Sequence, residues 1–166
     1  MERKVEGRDS EFFLIELKYK TKPINGVNYT CFNKKLEISL LKDQGAVHDN
    51  RYAFWKDVKR IESVKESFSP SVVGGVVIFL TNEMKYCCQV SQGCDDADFS
   101  MHHPKDPIHR IKKWENEEPK LDKNGRTKPI DPPIELQKDY IPQWLTIDMS
   151  AGCMPNNKFY YCMVEV

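Results

Sequence analysis

The run Val72-Val73-Gly74-Gly75-Val76-Val77-Ile78-Phe79-Leu80 constrains the fold more than any other stretch. It is continuously apolar rather than alternating, so it reads as a strand buried on both faces. Gly74-Gly75 places the start of the strand proper near Val76, and Thr81-Asn82 ends it. The run is far short of the roughly 20 residues that a membrane span needs. A strand of this kind needs other elements to cover it, and the residues just upstream supply one. Over residues 49–68, Phe54, Val58, Ile61, Val64 or Lys65, and Phe68 recur at three- and four-residue steps. That spacing predicts an amphipathic helix from about Asn50 to Phe68, with Phe54, Val58 and Ile61 against the sheet. Ser69-Pro70 stops it.

The other elements are consistent with one α/β domain over residues 1–166. Residues 12–21 are rich in aromatic and aliphatic side chains and read as a strand. Turn signals flank it at Gly7-Arg8-Asp9-Ser10 and Pro23-Ile24-Asn25-Gly26. Residues 27–32 suit a short strand, and 34–44 are a mixed segment leading into the helix. Residues 104–142 hold seven of the ten prolines and many charges, so they read as a long surface insertion. Residues 143–149 and 159–166 read as two closing strands, with turn residues from Gly152 to Asn157 between them. The expected architecture is a central mixed β-sheet flanked by helices.

Composition excludes several classes. Lys plus Arg and Asp plus Glu both number 25, so no global field draws the chain to nucleic acid or membrane. A nucleic-acid site must come from local arrangement of charge. Eighteen aromatic residues are too many for a disordered chain. The N-terminus has no apolar signal segment, which with six cysteines points to free thiols in a reducing cytoplasm. Cys87-Cys88, Cys94, His102-His103 and His109 lack the ligand spacing of a zinc site.

The chemistry lies in Leu14-Ile15-Glu16-Leu17-Lys18-Tyr19-Lys20. Alternate side chains of a strand share a face. Phe13, Ile15, Leu17 and Tyr19 are therefore expected to face a core, and Glu16, Lys18 and Lys20 the opposite side. A carboxylate can hold a hard divalent cation, and an ammonium beside it can steady a nucleophile or a phosphate oxygen. Glu-x-Lys is also common as a solvated pair on the wet face of a strand.

Glu16-Leu17-Lys18-Tyr19-Lys20-Thr21-Lys22 resembles the third motif of the PD-(D/E)XK, or restriction-endonuclease-like, nucleases, and in particular an uncharacterised bacterial group of that superfamily. The resemblance extends through Leu41-Lys42-Asp43-Gln44-Gly45, Asn50-Arg51-Tyr52, Phe54-Trp55-Lys56-Asp57-Val58-Lys59-Arg60-Ile61-Glu62 and Ile78-Phe79-Leu80-Thr81-Asn82. It implies a restriction-endonuclease-like core and Mg²⁺-dependent cleavage of nucleic acid, chiefly DNA, with Mn²⁺ as a substitute and no membrane partner. It makes Glu16 a metal-binding acid and Lys18 the motif lysine. Lys20, Gln44, Arg51 and Tyr52 become substrate-binding candidates.

The family pattern also has a first acid, an Asp, on the preceding strand. With a turn centred on Arg8-Asp9, Glu6 would face Glu11, Arg3 would face Leu14, and Met1 would face Glu16. Glu2 is then the nearest substitute acid, and the chain is expected to begin inside that strand, as a fragment, a reading frame with a misplaced start or a degenerate, truncated copy. Two functions follow from this. One is a Mg²⁺-dependent nuclease using Glu16, Lys18 and Glu2. The alternative is an inactive member that binds nucleic acid or a protein. Arg51, Lys56, Lys59 and Arg60 read as a solvated helix face, because Asp49, Asp57 and Glu62 are interleaved with them. Trp55 and Trp144 read as core anchors.

Overall fold

The computed structural model describes residues 2–3, 10–102, 110–116, 118, 120–121, 124, 127–148 and 158–166. The strands are β1 (Glu2–Arg3), β2 (Glu11–Lys20), β3 (Ile24–Cys31), β4 (Lys34–Leu40), β5 (Val72–Thr81), β6 (Ile111–Lys112), β7 (Lys120–Leu121), β8 (Thr127–Lys128), β9 (Ile134–Glu135), β10 (Gln143–Asp148) and β11 (Lys158–Glu165). One α-helix, α1 (Val47–Ser67), lies between β4 and β5.

The main sheet has the order β1-β2-β5-β11-β10. β2 and β5 run parallel, and the other pairs are antiparallel. The parallel pair requires a long crossover, which contains the β3–β4 hairpin and α1. The segment before the helix is thus a strand, β4, rather than a helix lead-in. Among the described residues, the result is an α/β fold with a mixed sheet of four full strands and one α-helix.

The helix stripe behaves as its spacing predicts. Phe54 and Val58 are fully buried and Ile61 nearly so. They join Val77, Phe79, Cys162 and Val164 of the sheet in one core. Burying each such side chain contributes roughly 1.5–3 kcal/mol. Trp55 is buried and its Nε1 donates to the Phe99 carbonyl at 3.1 Å; Trp144 donates to the Met101 carbonyl at 2.6 Å. Helix and sheet approach closely at Gly75, where an added Cβ would lie 2.5 Å from Ile61 Cγ2.

Three expectations need correction. First, the faces of β2 are reversed. Ile15 is 50% and Leu17 66% exposed, and Phe13 and Tyr19 are exposed too, whereas Leu14, Glu16, Lys18 and Lys20 are half-buried. The helix covers the charged side of the strand because it brings charges of its own. Second, β5 is buried on one face only; Val76, Ile78 and Leu80 are half-buried on the other. Third, the Pro-rich stretch is not merely a surface insertion. β6 pairs with β9, and Ile134, Leu136 and Tyr140 enter the core. Buried Glu62 of α1 accepts from the Gln137 backbone N–H at 2.7 Å and from the Tyr140 hydroxyl at 2.9 Å. This segment covers the side of α1 away from the sheet. The predicted turn from Gly152 to Asn157 lies outside the described residues.

Candidate functional site

Glu16 and Lys18 project from β2 beside Val77 and Phe79 of β5, under the middle of α1. Two helix residues meet them. Lys18 Nζ lies 2.5 Å from Asp57 Oδ2, and Glu16 Oε2 lies 2.7 Å from Arg60 Nη2. The same Arg60 nitrogen is 3.0 Å from Asp57 Oδ1. The four groups form a chain of alternating sign: Glu16, Arg60, Asp57, Lys18.

Exposure is graded along this chain. The Asp57 side chain is 7% exposed, Lys18 17%, Glu16 34% and Arg60 54%. The inner pair is withdrawn from water and the outer pair opens to it. The Lys18 ammonium, 2.5 Å from Asp57 Oδ2, is the partner of that buried oxygen. Lys20 is half-buried on the same face, and no carboxylate among the described residues pairs with it.

The other candidates lie elsewhere. Gln44 is held at the β2 exit: its N–H donates to the Thr21 carbonyl at 3.0 Å, and its own carbonyl accepts from Asn50 Nδ2 at 3.3 Å. Asn50 also donates to the Gly45 carbonyl at 2.6 Å and the Tyr86 hydroxyl at 2.8 Å, which fixes the loop entering α1. Arg51 is buried; it pairs with Asp96 at 2.7 Å and donates to the Lys85 carbonyl at 2.6 Å. Tyr52 is buried, stacks on Trp114 and donates to the Pro132 carbonyl at 3.1 Å. Burial raises the Tyr52 hydroxyl pKa, with a further push from Asp131. Arg51 and Tyr52 are thus engaged within the protein, away from the Glu16–Lys18 face.

Glu2 requires a correction. Arg3 lies opposite Glu11 rather than Leu14, and Glu2 lies opposite Phe12. Phe12 is four residues from Glu16, roughly 13 Å along a strand. The backbone register therefore keeps Glu2 away from Glu16. Glu6 and Asp9 lie outside the described residues.

Asp57 and Arg60 were hidden by their ordinary appearance on a charged helix. Asp57 follows Phe54 by three residues and precedes Ile61 by four, so it lies within the buried stripe. A carboxylate at such a position was the available signal.

Of these groups, the Glu16 carboxylate is partly accessible and of the oxygen type that a hard divalent cation takes; it pairs with Arg60, and both Asp57 oxygens are paired, one with Arg60 and the other with Lys18. Such a cation takes oxygen ligands, and Mg²⁺ commonly uses one or two carboxylates with water completing its shell. No group of three or more His, Cys, Asp or Glu side chains with metal-binding geometry occurs among the described residues. No helix among the described residues is long and apolar enough to cross a membrane. No family model, curated protein or solved structure matches the chain.

Proposed function

We propose that the chain has a restriction-endonuclease-like core and is a Mg²⁺-dependent nuclease acting on phosphodiester bonds, chiefly of DNA. The observation that carries this reading is the Glu16-x-Lys18 pair, held beneath a helix on a strand of the main sheet rather than lying on a wet face. Glu16 binds the cation through its partly accessible carboxylate. The cation supplies positive charge against that developing on the phosphate. Lys18, oriented by Asp57, places an ammonium beside it for a phosphate oxygen or an attacking water. Lys20, which no carboxylate among the described residues pairs with, contacts a neighbouring phosphate. Gln44 borders the same end of β2.

A second reading, an inactive binding module, is favoured by one observation: Arg60 and Asp57 already neutralise Glu16 and Lys18. Incubation of the protein with supercoiled and single-stranded DNA in Mg²⁺ or Mn²⁺ separates the two. Cleavage lost in both Glu16→Ala and Lys18→Ala supports the nuclease. Cleavage that survives both substitutions removes the pair from the reaction. Salt-sensitive DNA binding without cleavage makes the chain a binding module, because phosphate contacts weaken steeply with salt.

A further inference from the structure

We propose that β2 pairs along its outer edge with β2 of a second copy of this chain, antiparallel about a twofold axis through Leu17, so that the two main sheets join into one. The pairing is independent of whether Glu16 and Lys18 cleave DNA.

The edge is open along most of its length. β2 lies between β5 and β1, and among the described residues β1 reaches only Glu11 and Phe12. No strand among the described residues pairs with Leu14–Lys20 on that edge. The Phe12 N–H donates toward β5, to the Ser71 carbonyl at 2.8 Å. Alternation then turns the backbone groups of Leu14, Glu16, Lys18 and Lys20 toward β5, and those of Ile15, Leu17 and Tyr19 outward. Such a row of outward groups is a template for another strand. The core packed with α1 draws on Val77, Phe79, Cys162 and Val164, on β5 and β11, inward of this edge.

Charge selects both the partner and the register. Charged side chains on an edge strand ordinarily discourage pairing, but their spacing here is self-complementary. With Leu17 opposite Leu17 of the second copy, Ile15 faces Tyr19, Leu14 faces Lys20 and Glu16 faces Lys18, each twice by symmetry. Ile15, Leu17 and Tyr19 then exchange the hydrogen bonds. Glu16 and Lys18 fall on a non-hydrogen-bonded pair, where side chains approach more closely. Their contacts with Arg60 and Asp57 inside each copy are kept. The neighbouring registers bring like charges together. Centring on Glu16 sets that carboxylate against its own copy, and centring on Lys18 does the same to the ammonium; like charges directly opposite are destabilising. A slip of one residue sets the apolar side of one strand level with the charged side of the other. Exposure within β2 also peaks at the axis, with Leu17 at 66%, Ile15 at 50% and Tyr19 at 42%.

Sedimentation velocity over a concentration series tests this, and disulfide trapping fixes the register. The wild-type chain is expected to be a reversible dimer. Leu17→Lys sets two ammonium groups at the axis and should weaken the dimer at least tenfold, while the exposed position leaves the protomer folded. Leu145→Lys, on the same side of the sheet but on β10, should leave dimerisation unchanged. Under mild oxidation Leu17→Cys should give a covalent dimer bridged at position 17, beyond any cross-linking of the native thiols. Hydrogen-bonded pairs hold their Cα atoms about 5.5 Å apart, within reach of a disulfide. An equal mixture of Ile15→Cys and Tyr19→Cys should bridge one variant to the other, and neither should bridge to itself. A wild type that is monomeric at every concentration overturns the pairing, as does a dimer that survives Leu17→Lys. A dimer lost in Leu145→Lys as well overturns it in favour of packing between apolar sheet faces. Absence of a bridge at position 17 overturns the axis.

Discussion

The two faces of the main sheet treat apolar surface in opposite ways. On the helix side, Val77, Phe79, Cys162 and Val164 are buried under α1, yet Glu16 and Lys18 share that side. On the other side, Phe13, Ile15, Leu17 and Tyr19 of β2 align with Gly74, Val76, Ile78 and Leu80 of β5. Met163 and Tyr161 of β11, and Leu145 and Ile147 of β10, continue that surface. The more apolar side of β2 is thus the more exposed one. A strand's alternation therefore tells which residues share a face, but not which face is covered. Coverage goes to the face whose charges find partners, and α1 supplies Asp57 and Arg60 for that purpose.

The strongest way to break this contrast is to open the covered side. Phe54→Ala removes a fully buried ring and should cost about 3–5 kcal/mol. Urea unfolding would measure it, and a loss under about 1 kcal/mol, the size of an ordinary single substitution, would mean that the helix does not hold the sheet.

Next in size is the ionic layer. Lys18→Met leaves buried Asp57 with only the exposed Arg60, at a cost of about 3 kcal/mol. The added change Asp57→Asn should recover most of it. No recovery in a double-mutant cycle would show that the two side chains are not coupled.

A pH experiment probes the far side of α1. Lys112 is buried over the Trp55 ring, its Nζ 4.0 Å from the ring centroid, and donates to the Asp98 carbonyl at 2.9 Å. Desolvation pushes its pKa down to about 8, against weaker upward pulls from Asp98 and Asp139. Below pH 8 the ammonium is charged in both states and its burial cost is present in full. Between about 8 and 10.5 the unfolded chain holds more protons, so this group makes stability rise with pH. Cys87, pushed up to about 12 by burial and by neighbouring Cys88, opposes that trend above pH 9. The clean reading is the difference from Lys112→Met. Wild type should gain about 3 kcal/mol on the variant across that window. A gap independent of pH would place the ammonium in water.

The smallest effect belongs to the open side. Leu17→Ser should change stability by no more than about 0.5 kcal/mol and improve solubility, because large exposed apolar patches promote association. A loss above about 2 kcal/mol, in the range of buried-side-chain truncations, would mean that the face is covered in solution.

Much of the fold was legible because its signals are local. Phe54, Val58 and Ile61 fall at helical spacing, and the continuous run through Val76–Leu80 marks a strand. The face of β2 was not legible, because the residues that decide it lie about forty positions downstream in α1. Asp57 was hidden for the same reason: a carboxylate's burial depends on Lys18, which no helical window contains. The interior role of residues 134–140 was also hidden. Their one strand, β9, is two residues long, and their anchors, such as Tyr140 to Glu62, join positions 78 residues apart. Glu2 failed through register: a slip of three positions sets it opposite Phe12 rather than Ile15.

The bare Cα of Gly75 has a consequence for evolution as well as for packing. Its missing side chain lets Ile61 settle onto the sheet, and Ile61 is next to Arg60 and one turn beyond Asp57. A methyl group at position 75 would lift that turn of the helix and lengthen both ionic contacts together, without touching a charged residue. The strength of the charge chain is therefore adjustable by mutation at a position that carries no functional group, through changes that look, in sequence, like neutral exchanges among small residues.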